Sequence, residues 1–203
     1  MHARIASFEG RDPSLTDELI RRVRDAGPTS VPEAKGFLGL FDRERGTSLG
    51  ITFFDSEEAI RKSEQAFEDM AQNFPPEMRG RRTSVDVYEV TIFDGDAERA
   101  KAARVSSLEG SPDRIDDSVS KVQSETLPRV RELRGNVGTI GLADRKSGRV
   151  KVITLWESPD ALRQTEQQAD QLRKQAAESG GQQIRGVNRY EVEVAQQLSG
   201  VRV

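Results

Sequence analysis

Hydrophobic and polar residues follow one another in a pattern that occurs twice along the chain. Residues 51–56 form an apolar strand pattern that ends at an acidic residue and a serine, and residues 153–158 repeat it. A serine at this position is typical of a helix N-cap. The apolar residues that follow recur at helical spacing in both copies, at Ile60, Phe67 and Met70 and again at Leu162, Ala169 and Leu172. The pattern therefore predicts the same strand and amphipathic helix in each half.

The neighbouring segments also occur in pairs. A helix is predicted over residues 14–26, where Ser14 and Asp17 resemble a capping box, with a counterpart in the second copy. Gly46 and Gly148 are typical of hairpin turns. Each copy then reads strand, helix, strand, strand, helix, strand. The other predicted strands cover residues 3–8, 37–41 and 85–92 in the first copy and 103–108, 137–143 and 187–194 in the second.

This order is the ferredoxin-like arrangement, in which an antiparallel sheet carries both helices on one face. We predict an α+β fold of two ferredoxin-like βαββαβ units, whose antiparallel sheets pack as an intrachain dimeric α+β barrel, a pseudo-dimer. The sequence leaves open whether whole chains associate further. The predicted boundaries are 1–94 for the first domain, 95–101 for a linker, 102–195 for the second domain and 196–203 for a tail.

Composition narrows the class of protein. The chain has 203 residues, of which 34% are hydrophobic and 32% are charged, a balance typical of soluble globular proteins. No apolar run approaches the roughly 20 residues that span a bilayer, and the first residues lack a signal-peptide pattern. We therefore expect a cytoplasmic protein with no membrane partner.

Charge and reactive residues exclude several functions. The formal net charge is -3, with 31 basic and 34 acidic residues interspersed along the chain, so nucleic acid is not an expected partner. The chain contains no Cys and a single histidine, His2. Disulfides, thiolate nucleophiles, Cys/His zinc sites and histidine-based triads are excluded or nearly so. We predict no metal site and no cofactor, and the catalytic residues stay unassigned.

Several local features carry a resemblance to a known family. Gly36-Phe37 follows a proline-containing loop, and Asp42-Arg43 opens a hairpin that ends in Gly46. Leu155 to Ser158 forms a strand-to-helix junction that is followed by Ala161-Leu162. In these features the chain resembles tandem antibiotic biosynthesis monooxygenase-like (ABM) domains of the dimeric α+β barrel superfamily.

The resemblance implies a barrel-like pair of sheets with a ligand cavity. Some similar proteins are cofactor-independent monooxygenases of aromatic polyketides, and others degrade haem. The haem-degrading branch depends on a helix histidine as axial ligand, but the aligned positions of this chain hold Ser63 and Thr165. Haem ligation through an imidazole is therefore not expected.

Matched charges give the first candidate site. Arg4 and Arg104 occupy the same point of the first strand of each copy, and Glu89 and Glu191 occupy the same point of the last strand. These strands are neighbours in a ferredoxin-like sheet, so a cross-strand Arg–Glu pair is one hypothesis. Such a pair would give a polar floor that orients a ligand or deprotonates an acidic phenol. The structural interpretation, an ion pair near the sheet edge, is favoured.

Aromatic residues give the second candidate site. Phe54 and Trp156 lie at the strand-to-helix junctions and are candidates for the walls of a flat cavity, although packing in the core is the favoured interpretation. Tyr88 and Tyr190 occupy matched positions of the last strands, where a hydroxyl could donate a hydrogen bond to a substrate oxygen. A core tyrosine with its hydroxyl at the rim is the commoner case.

Small polar residues give the third candidate site. Ser63 and Thr165 interrupt the apolar stripe of the second helix in each copy. The structural interpretation is that each hydroxyl bonds to the backbone carbonyl one turn earlier. Asn188, on the last strand of the second copy, is a further polar candidate.

Two functional hypotheses follow. The first is binding of a small aromatic or apolar molecule, with cofactor-independent monooxygenation as its catalytic form. The alternative is a non-catalytic structural or interaction module whose barrel is filled by its own side chains. The second copy, with Trp156 and Asn188, is favoured as the site. We predict a cavity of about 300 Å³ or more beside these residues if the first hypothesis is right.

Overall fold

Both halves of the chain contain the predicted succession of elements. The computed structural model describes residues 1–27 and 30–201. The first half contains β1 (His2–Glu9), α1 (Thr16–Ala26), β2 (Gly36–Asp42), β3 (Thr47–Phe54), α2 (Glu57–Gln72), α3 (Pro76–Arg79) and β4 (Arg81–Gly95). The second half contains β5 (Ala102–Gly110), α4 (Ile115–Lys121), a π-helical turn (Val122–Thr126), α5 (Leu127–Arg131), β6 (Asn136–Asp144), β7 (Arg149–Trp156), α6 (Pro159–Gln164), α7 (Glu166–Gly180) and β8 (Gln182–Gln196).

The hydrogen-bonded order of these strands confirms the predicted fold class. Within the described residues the order is β1-β3-β2-β8-β5-β7-β6-β4, closed as an antiparallel barrel. In the first half Ile5 of β1 lies opposite Ile51 of β3. In the second half Val105 of β5 lies opposite Ile153 of β7. The fold is therefore α+β, with two βαββαβ units.

Two compact units divide the described chain. The first contains Met1–Tyr88 and the C-terminal segment from Glu191, and the second contains Glu89–Tyr190. In the first unit the end of β8 pairs with β2, and in the second unit the end of β4 pairs with β6. β4 and β8 are 15 residues long each, longer than predicted, because each contributes one segment to each unit.

Helix starts follow the predicted serine caps, with one exception. The Ser56 hydroxyl accepts a hydrogen bond from the Ala59 amide at 3.1 Å, and Ser158 caps α6 in the same way. The predicted capping box of Ser14 and Asp17 is wrong. Asp12 is the capping residue, because its carboxylate accepts from the Ser14 amide at 2.9 Å and starts a short 3₁₀ turn before α1.

The segments predicted as linker and tail pack against the units. In a 3₁₀ turn after β4, Ala97 is buried, and Ala100 is buried at its end. After β8, Leu198 and Val201 are buried as well. Residues 202 and 203, the end of the predicted tail, lie outside the described residues, as do Pro28 and Thr29. The domain boundaries stay a prediction.

The two faces of each sheet lie in different environments. In the first unit, Ile5, Leu38 and Ile51 point away from the helices and are fully buried. The alternate residues of the same strands, such as Arg4, face α1 and α2. Within the part of the chain that the structure describes, no helix has the length and apolar character needed to cross a membrane.

The β6–β7 hairpin supplies a test of the fold. Gly148 has a φ of +75°, and a Cβ atom there would overlap the carbonyl oxygen of Gly110. We expect Gly148→Ala to lower the free energy of unfolding by at least about 2 kcal/mol, because it adds both backbone strain and a clash. Urea unfolding followed by circular dichroism measures the change.

Gly186 provides the matched control. A Cβ at Gly186 would meet no atom within 4 Å. Gly186→Ala should therefore leave stability unchanged or raise it by up to about 1 kcal/mol. Equal unfolding free energies for the two variants would contradict the hairpin geometry described here.

Candidate functional site

A cavity of about 150 Å³ lies in the first unit, between the helix-facing side of β1–β3 and helices α1 and α2. Its walls are mainly apolar. The aromatic residues of the lining are Phe8, Phe37, Phe41, Phe67 and Phe74. A largely apolar space of this kind suits a ring system better than a polar metabolite.

Two glycines keep the floor of this cavity open. Gly39 of β2 and Gly50 of β3 are cross-strand partners, and both line the cavity. A Cβ atom at Gly50 would lie 3.5 Å from the Phe37 ring, an ordinary contact distance. Side chains at these positions would therefore occupy the space that the glycines leave empty.

Arg4 forms a buried polar corner of the cavity. Its side chain is 3% exposed, and its Nε and Nη2 donate to the Glu64 carboxylate at 3.3 and 3.5 Å. Its guanidinium group lies 3.8 Å above the centre of the Phe67 ring. The carboxylate and the ring together hold Arg4 in place between sheet and helix.

Two more arginines line the cavity, and both lie on elements that follow α2 in the chain. Arg82 donates to the Glu68 carboxylate at 2.8 Å. The Nε of Arg79 is buried and has no hydrogen-bond partner within the described residues. The lining includes no Asp, Glu or His among the described residues, so it offers no side-chain general base. What it offers is stabilisation of negative charge on a bound molecule.

The second unit has a smaller cavity, of about 70 Å³, between its own sheet and helices. In the repeat, Val152 stands where the first copy has Gly50, and Arg173 stands where it has Ala71. Both residues line the smaller cavity. The prediction of a cavity of about 300 Å³ beside Trp156 and Asn188 is therefore wrong, because larger side chains fill that space.

Arg104 is the counterpart of Arg4 in the second unit. It is 1% exposed, and its Nη2 donates to the Glu166 carboxylate at 3.0 Å and to the Leu162 carbonyl at 2.8 Å. Burial lowers the pKa of this guanidinium, against the raising effect of Glu166. Burial raises the pKa of Glu166, but hydrogen bonds from Arg189 and Arg104 outweigh it, so that pKa lies below its ordinary value.

The predicted cross-strand Arg–Glu pairs are wrong. Arg4 and Arg104 bind glutamates on helices α2 and α7. Glu89 instead accepts from Arg145, and Glu191 accepts from Arg43 at 2.7 Å. The reason is the pleat, since the arginines point toward the helices and take their partners from them.

The candidate aromatic residues are core residues. Phe54 and Trp156 are fully buried. Trp156 lines the second cavity, and its indole N–H donates to the Thr154 hydroxyl at 3.2 Å, whereas Phe54 packs against Phe67 outside the first cavity lining. Tyr88 is 3% exposed and Tyr190 is half-buried.

The small polar candidates have the predicted backbone bonds. The Ser63 hydroxyl lies 2.9 Å from the Ala59 carbonyl oxygen, and the Thr165 hydroxyl lies 2.8 Å from that of Ala161. This confirms the structural interpretation of both positions. Asn188 is half-buried and lines neither cavity. Ligand contacts of the candidate residues stay predictions, with Arg4, Arg104 and Trp156 placed at cavity walls.

The sequence reasoning missed Gly50 and Arg79. The repeat itself carried a signal for Gly50, because its counterpart Val152 is the larger residue and marks a site where the two interiors differ. Nothing in the spacing singled out Arg79. Among the described residues no cluster of three or more His, Cys, Asp or Glu side chains is placed to hold a metal ion.

No family model matches the chain. The chain is 24% identical over 190 residues to the uncharacterized protein Rv2557 of Mycobacterium tuberculosis, a match that covers 91% of this chain and 84% of that protein. Rv2558 of the same organism is 32% identical over 75 residues, which cover 37% of this chain and 32% of that protein.

Solved structures with the same fold are similar over nearly the whole chain. An anthrone oxidase-like protein has a TM-score of 0.68 at 13% identity, covering 97% of this chain and 93% of its own. A candidate monooxygenase from Lactobacillus acidophilus has a TM-score of 0.64 at 11% identity, with 97% and 96% covered. A ferredoxin-fold protein from Listeria monocytogenes related to antibiotic biosynthesis monooxygenases has a TM-score of 0.54 at 11% identity, with 94% of each chain covered. At these identities the likeness shows the fold alone.

The Arg104–Glu166 pair makes stability depend on pH. Because the pKa of Glu166 is lowered in the folded protein, its contribution is complete above the ordinary value near 4.5 and is lost as the pH falls through the folded pKa. We expect Glu166→Gln to cost about 1–3 kcal/mol at neutral pH, because Arg104 loses its carboxylate. The loss should shrink in acid, and urea unfolding at several pH values measures it.

The control for this experiment lies on the same helix. Glu178 is exposed near the end of α7. Glu178→Gln should change stability by less than about 0.5 kcal/mol. A Glu166→Gln variant as stable as this control would show that the buried pair contributes nothing.

Proposed function

We propose that the first unit binds a small aromatic molecule, of about one ring, between its sheet and its helices. The observation that carries this proposal is the cavity of about 150 Å³ walled by five phenylalanines. An engineered apolar cavity of about 150 Å³ in another protein is large enough to bind benzene. The size therefore favours a smaller ligand than the polycyclic molecules that some similar proteins oxidise.

The second unit, in this proposal, is structural. Its cavity of about 70 Å³ is too small for a substituted ring, and Val152 and Arg173 occupy the equivalent space. The self-filled interior of the alternative hypothesis thus describes the second unit, while the binding hypothesis describes the first. The proposed site is asymmetric within one chain.

Cofactor-independent oxygenation is the second candidate function, and it uses the same cavity. It is supported by the guanidinium groups of Arg4 and Arg79 at the lining and by the fold shared with an anthrone oxidase-like protein. In such a reaction water accepts a proton from an activated CH₂ group, and the carbanion reduces O₂ and forms a C–O bond with it. The peroxide regains the proton, and cleavage of its O–O bond with loss of the remaining C–H proton gives a carbonyl group and water. The arginines would stabilise the anion. We further propose that the chain is a tandem ABM-like protein.

Filling the cavity tests the binding proposal. In Gly50→Val, the added methyl groups enter the cavity beside Phe37. We expect binding of benzamide, a neutral one-ring probe, to weaken at least tenfold, roughly the effect of losing a buried ring site. Ligand-detected NMR titration measures it, and the repeat already accepts valine at Val152 of the equivalent strand.

Gly186→Val is the matched control, since it makes the same substitution in β8 of the second unit, where an added Cβ atom would meet no neighbouring atom within 4 Å. It should bind benzamide as the unmodified protein does. Unchanged benzamide binding by Gly50→Val would rule out the cavity as the site. Unfolding curves of both variants establish that each is folded.

A further inference from the structure

The lining of the first-unit cavity carries an excess of positive charge. Arg4, Arg79 and Arg82 line it, and no carboxylate does among the described residues. Glu64 compensates Arg4, and Glu68 compensates Arg82, from outside the lining. No described carboxylate lies within ion-pair distance of Arg79. Within the described residues, Arg79 at this cavity therefore has no counter-charge.

The position of Arg79 makes this cation available to a ligand. Arg79 is the last residue of α3, the short helix that follows the loop after α2. Its side chain is half-buried. Its Nε is buried without an acceptor in the described chain. A buried guanidinium donor without a partner is unfavourable, so a ligand oxygen that accepts from it gains the full benefit of the new hydrogen bond.

The second unit shows what a compensated arrangement looks like. Arg104 and Arg173 line its cavity, and each has a carboxylate oxygen within 3.0 Å, from Glu166 and Asp170. Within the described residues, Nε and Nη1 of Arg104 and Nε of Arg173 also lack acceptors, but the charge of both arginines is balanced. Among the described residues, the uncompensated charge of Arg79 thus belongs to the first cavity, which has room for a ring.

We propose that the ligand of the first unit is a small aromatic carboxylate. Its ring would contact the phenylalanine walls, and its carboxylate would accept hydrogen bonds from Arg79, since the planar guanidinium fork matches two carboxylate oxygens. This inference rests on the proposed function, because it names the class of molecule bound at that same site.

Benzoate and benzamide test the inference, because they have nearly the same shape and differ in charge. Titrations followed by ligand-detected NMR should show that the protein binds benzoate at least tenfold more tightly than benzamide, the discrimination expected of a charge-assisted contact. In Arg79→Gln this preference should disappear, because the affinity for benzoate falls at least tenfold. Arg134→Gln, at an exposed position of the second unit, removes the same charge and should keep the preference.

The outcomes separate the two proposals. If benzamide and benzoate bind equally to the unmodified protein, the ring site stands and the carboxylate inference is overturned. If neither probe binds, the proposed function fails and this inference fails with it. Equal loss of preference in Arg79→Gln and Arg134→Gln would assign the effect to net charge and would also overturn the inference.

Discussion

In each unit a guanidinium group is buried between the sheet and a helix, and a carboxylate on that helix compensates its charge. Arg4 and Arg104 are almost fully buried, and each receives its carboxylate from the helix above, Glu64 on α2 and Glu166 on α7. Removing a charge from water is costly unless a partner is held at hydrogen-bond distance. The pair therefore holds the helix over the strand at the wall of each cavity.

The same frame encloses different amounts of space in the two units. Where the first unit has Gly50 at the floor, the second has Val152, and the cavities measure about 150 and 70 Å³. Packed interiors respond to single side chains, since neighbouring atoms relax only partly into the space left free. A few substitutions on a shared backbone are thus enough to leave a larger cavity in one unit than in the other.

The two interiors also differ in charge. Arg173 takes part of the space in the second unit and is compensated by Asp170. Arg79 lines the first cavity without a carboxylate partner among the described residues. Apolar walls strengthen the attraction between such a charge and a bound anion, because they lower the local dielectric constant. The size and the charge of the first cavity therefore favour the same class of ligand, a single ring that carries an anionic group.

The sequence alone determined the order of elements, the α+β class and the serine caps, because these depend on local periodicity and on hydrogen bonds between near neighbours. It also predicted the backbone bonds of Ser63 and Thr165, which span one helical turn. The partners of Arg4 and Arg104 and the length of β4 and β8 were decided by the tertiary structure, since they depend on which strand or helix lies alongside. The cavity was decided there too: its volume is the difference between the space enclosed by a backbone frame and the side chains that fill it, and neither quantity is encoded in a local stretch of residues.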